Sequence, residues 1–145
     1  MRIEFKDATV PSKEEILKQA EGQKRVVLAG KEPLKRTGII DIVRKLQNEE
    51  ILIETDGQEL SAMAEKLKKA GLTGVMINVN TMRYTRYKRS HDGMQLEPVV
   101  EGINKAVDQR LKVRLQVSLE KGFSDDEILD FVQLTFQHDY EIVFL

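Results

Sequence analysis

Cysteine does not occur in this chain. That absence excludes disulfides, thiolate zinc sites, cysteine nucleophiles and cysteine-ligated iron–sulfur clusters built from its own residues. Long hydrophobic runs are missing too: no stretch approaches the ~20 apolar residues that span a bilayer, and Met1 to Ala8 lacks the apolar core of a signal peptide. A cytoplasmic location without membrane partners is therefore expected. Charge of one sign is also lacking, since the formal net charge is -1. No protein-wide attraction draws the chain to nucleic acid, so any such binding has to come from a local patch.

What is present is an ordinary globular balance, 41% hydrophobic and 32% charged, with no block of like charge that would mark a disordered tail. A chain of 145 residues fits one domain, 1–145, that buries about two thirds of its unfolded surface.

Short β-branched runs alternate with longer stretches of helical period, the signature of βα units. Arg25 to Ala29, Ile51 to Thr55, Gly74 to Val79, Lys112 to Leu119 and Tyr140 to Leu145 read as strands, and Arg2 to Phe5 as an additional one. Between them, Ile39, Ile42, Val43 and Leu46 share one helix face, as do Leu60, Met63, Ala64 and Leu67, which Gly71 is placed to cap. Leu96, Val99, Val100, Ile103 and Val107 mark a further helix with Pro98 in its first turn. Ser12 with Glu15, and Ser124 with Glu127, have the spacing of capping boxes. Asn80 to Gln95 reads as a polar loop.

The strand spacing suits right-handed parallel crossovers. Five to six such strands form either an open doubly wound sheet or an incomplete (β/α) barrel of the TIM type with covering helices, and periodicity does not separate the two. In both, loops at the C-terminal strand ends bind ligands. An open sheet also leaves edges uncovered, so a homo-oligomer or a partner protein is expected to cover them.

Several segments together resemble the radical S-adenosylmethionine core, and within it the GTP-cyclising enzymes of molybdenum cofactor biosynthesis. Gly30-Lys31-Glu32-Pro33-Leu34 is similar to that family's Gly-Gly-Glu-Pro turn, and Thr55-Asp56-Gly57 to its Thr-Asn-Gly strand end. Asn78-Val79-Asn80-Thr81 stands where the family has Ser-Leu-Asp-Ser. Arg114-Leu115-Gln116-Val117 resembles its Lys-x-Asn-x-Val strand, and Gly122 to Phe131 its Gly-x-Asn-Asp-x-Glu-Ile helix start. The resemblance implies a partial TIM-type barrel and a pocket for S-adenosylmethionine or another nucleotide. It implies cofactor contacts at Gly30, Lys31, Glu32, Pro33, Thr55, Asn78, Arg114 and Gln116. The family's Cys-x-x-x-Cys-x-x-Cys loop has no counterpart in Met1 to Gly22, so neither an iron–sulfur cluster nor radical chemistry is expected from this chain alone.

The expected function is accordingly a cluster-less, non-catalytic domain that keeps a nucleotide or anion pocket. Two alternatives stand beside it. One is a subunit that completes a radical enzyme with a partner chain. The other is a cluster-independent enzyme in which Glu32 or Asp56 acts as acid or base and Lys31 supplies charge. Lys31 or Arg114 would neutralise an anion, and Thr55 and Asn78 would bond a ribose or carboxylate. Arg83, Tyr84, Arg86, Tyr87, Lys88, Arg89 and His91 form a basic, aromatic-interleaved segment, read as a solvated surface loop and not as a nucleic-acid site. Ser90-His91-Asp92 is not a triad, because a triad converges from separate segments. His91 and His138 lack companions at metal-ligand spacing.

Overall fold

The computed structural model describes residues 1–145. Its strands are β1 (Arg2–Phe5), β2 (Arg25–Gly30), β3 (Glu50–Thr55), β4 (Gly74–Val79), β5 (Lys112–Val117) and β6 (Glu141–Phe144). The helices are α1 (Lys13–Ala20), α2 (Ile39–Lys45), α3 (Leu60–Ala70), α4 (Tyr84–Ser90), α5 (Glu97–Asp108) and α6 (Ile128–Gln137). Short 3-10 turns lie at Pro33–Lys35 and Asp125–Glu127. No helix is long and apolar enough to cross a membrane.

All six strands are parallel and stand in chain order from β1 to β6. That order decides between the two expected architectures. A doubly wound sheet reverses its strand order and carries helices on both faces. Here Ile16, Ile42, Leu60, Ile103 and Phe131, from five different helices, join one core with Ile3, Leu28, Ile53, Ile77 and Leu115 of the strands. The opposite, helix-free face keeps only a small apolar group, Val27, Ala29, Leu52 and Met76. The sheet is singly wound and β1 does not meet β6, so it is an incomplete TIM-type barrel.

Local chemistry accounts for the element ends. Ser12 Oγ accepts from the Glu15 amide at 3.2 Å and starts α1. Gly71, at φ 113, ends α3 in the left-handed region. Pro98 sits in the first turn of α5, where its missing N–H has no partner to lose.

Two expectations are corrected. Asn80 to Gln95 is not all loop, because α4 occupies its middle: Tyr87 is fully buried and anchors the helix through side-chain packing that polar composition hides. Nor do Ser124 and Glu127 form a capping box. Ser124 Oγ instead accepts from the Glu120 amide at 3.0 Å, and the Glu127 side chain turns inward toward another loop.

Two glycines are required by close approach. At Gly102 an added Cβ would lie 2.9 Å from Leu60 Cβ, so the α3–α5 contact depends on its absence. At Gly30, where φ is +92, it would lie 2.4 Å from the Phe5 carbonyl oxygen, which is backbone and cannot step aside.

Gly30→Ala is therefore expected to cost about 2 kcal/mol or more in urea unfolding. Gly22→Ala has a similar φ of +77 but open space around it, and serves as the control for strain alone. Equal losses in the two variants would show that the Gly30 contact with β1 carries no weight.

Candidate functional site

The C-terminal ends of β2 and β3 are joined by one carboxylate. Glu32, in the turn after Gly30, accepts from Thr55 Oγ through both oxygens at 2.6 and 2.8 Å. It also accepts from the Asp56 amide at 2.8 Å and the Leu34 amide at 3.2 Å. Thr55 Oγ in turn accepts from the Gly57 amide at 3.1 Å. Burial pushes the Glu32 carboxyl above its ordinary range, while the Thr55 and Asp56 donors pull it back down. Gly30, Glu32, Pro33 and Thr55 are thus brought together, with both oxygens of Glu32 engaged by the protein's own donors. Lys31 beside them is exposed.

Asn78, Arg114 and Gln116 lie elsewhere. Side chains alternate along a strand, so Thr55 follows Ile51 and Ile53 into the helix-side layer, whereas Asn78, Arg114 and Gln116 point to the helix-free face. There they meet residues that sequence reasoning missed. Gln116 Nε2 donates to Asn78 Oδ1 at 2.8 Å, and Asn78 Nδ2 donates to Glu54 Oε1 at 3.0 Å. Arg2 of β1 donates to both oxygens of Glu54 and also to Glu4. In register, Arg2 of β1 stands beside Val27 of β2 and Glu4 beside Ala29, so the Arg2 hydrogen bonds to Glu54 span β2.

The result is a polar ladder running from β5 to β1, with the carboxylate of Glu54 as its common acceptor. The Arg2 hydrogen bond holds the Glu54 carboxyl below its ordinary range, more than offsetting desolvation, with a further contribution from Asn78. The reciprocal effect raises Arg2. Nearer the N-terminal ends of the strands, Arg25, Glu50, Leu52, Met76, Lys112 and Arg114 line a cavity of about 220 Å³. Arg114 Nε donates to Glu141 at 2.8 Å within it. Glu54 could have been found from strand parity, because Asn78 pairs in register with Gln116 and both share its face.

A second carboxylate ties the far loops. Glu127, 1% exposed, accepts from Thr81 Oγ at 2.6 Å, from the Met82 amide at 2.9 Å and from Arg86 Nη1 at 2.9 Å. Arg86 also pairs with Asp126, and Arg83 with Asp130. The basic segment is therefore no free solvated loop: two of its arginines are committed to α6 and the turn before it. Tyr87 takes a hydrogen bond from Gln58 Nε2 at 3.1 Å and stacks on His91 at 3.8 Å.

Ser90 and His91 do meet, with Oγ 2.9 Å from Nδ1. That same nitrogen lies 2.9 Å from the Tyr87 carbonyl, so the contact closes the end of α4 on itself.

The family's cluster loop follows the strand that precedes the Gly-Gly-Glu-Pro strand, here β1. In its place is a turn closed on itself: the Lys6 amide donates to the Val10 carbonyl at 2.9 Å, and Asp7 Oδ1 accepts from the Thr9 amide, the Thr9 hydroxyl and the Val10 amide. With no cysteine in the chain, these residues do not fit a cluster held by three thiolates.

Comparison with known proteins agrees with this architecture. The chain is 41% identical to the GTP 3',8-cyclase of Listeria monocytogenes over 94% of its own length and 44% of the relative's. It is 35% identical to that of Lactiplantibacillus plantarum over 97% and 46%. The chain thus spans less than half the length of these curated relatives. Among solved structures, methylornithine synthase superposes with a TM-score of 0.68 at 18% identity, covering 94% of this chain and 44% of that one. The hydrogenase maturase HydG gives 0.63 at 15%, over 92% and 36%. Both likenesses concern the fold. The family pattern described as the Radical SAM superfamily matches residues 3–135. By that match the chain belongs to the radical SAM superfamily.

Proposed function

We propose that this chain is a ligand-binding domain on the radical SAM scaffold that takes a nucleotide on its helix-free face and performs no radical chemistry with its own residues. One observation carries the reading: the polar ladder of that face is complete while no thiolate exists to hold a cluster. A recognition surface with fixed donors and acceptors survives without the redox centre that would use it.

The relatives named GTP 3',8-cyclase favour a guanosine nucleotide as the ligand class. The Glu54 carboxylate and the Asn78 and Gln116 amides offer hydrogen bonds to a base or ribose. In the cavity beside them Arg25 pairs with Glu50 and Arg114 with Glu141, which leaves Lys112 as the cation free to meet a phosphate. Reading Glu32 as an acid or base is less favoured, because both its oxygens already accept hydrogen bonds from Thr55 and the Leu34 and Asp56 amides. The open edge of β6 and the exposed Leu129 and Phe136 of α6 support association with a second copy or a partner chain as part of the same proposal.

Thermal shift with GTP, S-adenosylmethionine and S-adenosylhomocysteine tests the pocket. GTP near 100-fold above its Kd is expected to stabilise the domain by about 2.7 kcal/mol, and Arg114→Ala to remove most of that gain. No shift with any of the three would leave a scaffold without a pocket.

The ladder itself predicts a pH dependence. Glu54 titrates lower in the folded chain than in the unfolded one, so its contribution is present above about pH 4.3 and is lost as pH falls through the depressed folded value. Glu54→Gln is expected to be less stable than the parent at pH 7, with the gap closing toward pH 3 in urea titrations. A gap that stays constant with pH would contradict the ladder.

A further inference from the structure

The outer surface of α6 differs from that of the other long helices. Phe131 is fully buried and Leu134 packs partly buried against the core, and together they fix the inner side of the helix. Asp130, on one flank, pairs with Arg83 at 3.3 Å, so that flank faces the β4 side of the sheet. At about 100° per residue, Ile128, Val132, Phe136 and Leu129 sweep from the opposite flank to the outer side. All four are exposed, Leu129 by 74% and Phe136 by 83%. Phe144 continues this stripe on β6, the strand with an unpaired edge: its ring meets Phe131 edge-on at 6.3 Å and stays partly exposed.

Charge is what this surface lacks. The outward positions of α1, α3 and α5 carry Glu14 and Lys18, Glu65 and Lys69, Glu101 and Lys105, the ordinary dress of a solvated helix face. α6 has Asp130 as its one ion, and that ion is already paired within the chain. An exposed apolar stripe with a phenylalanine at its centre and no free charge has the composition of an interface core, not of a solvated surface.

The same composition selects the occupant. A partner recognised by charge needs fixed ions to pair with, and the stripe offers none. A second copy needs a surface that matches itself. An apolar stripe does, and so do the exposed amides of Gln133 and Gln137 at its rim, each a donor and an acceptor at once. The other edge of the sheet does not fit the stripe, because β1 and α1 would bring Arg2, Glu4, Glu14 and Lys18 against apolar side chains. A head-to-tail contact is thereby disfavoured and a closed two-fold one favoured.

We infer that α6 and the adjoining edge of β6 form a two-fold interface between copies of this chain. The two α6 helices lie antiparallel across the axis, with Val132 at the centre and Leu129 of one copy against Phe136 of the other. This rests on the association proposed for the same surface and names its occupant. Because α6 lies on the helix side of the sheet, the dimer leaves the helix-free face open to a nucleotide.

Sedimentation velocity of the whole chain across a range of concentrations is expected to show a monomer–dimer equilibrium in the micromolar range or tighter, with no larger species. Phe136→Glu and Leu129→Lys change exposed positions and leave the core intact, which circular dichroism checks. Each is expected to weaken the dimer by about 30-fold or more. Mixed in equal amounts, the two variants should form a heterodimer, since one contact then pairs the two introduced charges and the other restores the original leucine against phenylalanine. A monomeric parent, which leaves the surface to a different chain, would overturn the inference. So would oligomers that keep growing with concentration, an unweakened dimer in both variants, or variants that stay monomeric on mixing. The GTP thermal shift separates this inference from the nucleotide reading: it should persist in Phe136→Glu, and a parent that dimerises but shows no GTP shift would sink the nucleotide reading alone.

Discussion

The Glu32 carboxylate is the point on which the C-terminal ends of β2 and β3 are hung. It reaches from the turn after β2 to the end of β3 and takes hydrogen bonds from a hydroxyl and two backbone amides. Backbone N–H groups at strand ends have no ladder partner, and leaving them buried and unmet is expensive. A single side chain with two acceptor oxygens meets several of them at once. The cost is a buried charge, which is why the carboxyl is pushed up despite its donors.

The same device recurs at the other side of the sheet. Glu127, from the turn before α6, accepts from the Thr81 hydroxyl, the Met82 amide and Arg86. In both places a glutamate in or just before a 3-10 turn captures a threonine hydroxyl and a main-chain amide at or just after the end of a neighbouring strand. Gln58 adds a third tie, donating to Tyr87 and to the Gln95 carbonyl. These contacts close the loops at the strand ends with polar side chains of the chain itself. The Arg2–Glu54–Asn78–Gln116 ladder does the equivalent for the helix-free face, satisfying polar side chains against one another while keeping them at the surface.

Much of the architecture was legible from the residues. The β-branched runs at Val26, Ile51, Val75 and Val113, with amphipathic stripes between them, dictate parallel βα units, and the order of the family-like segments dictates a barrel-type arrangement. The site was only half legible. Gly30 and Glu32 announce a ligand-end turn, but a list of strand-end polar residues ignores parity. Thr55 and Glu54 are neighbours in sequence and lie on opposite faces of the sheet, so the eight expected contact residues divide into two groups. Glu54 was hidden inside Ile51 to Thr55, a run read only as a strand. Arg2 was hidden because its partner is two strands away. Glu127 carried the spacing of a helix cap and spends its oxygens on tertiary bonds instead. α4 was missed because its only buried anchor, Tyr87, sits among arginines and lysines.

That the Glu32 carboxylate holds the turn after β2 to the end of β3 is tested most directly by the urea unfolding free energy of Glu32→Ala. Three donors lose their acceptor in that variant. The account predicts a loss of about 2–3 kcal/mol with an unchanged denaturant slope. A loss below about 0.5 kcal/mol, the range of an ordinary surface substitution, would contradict it.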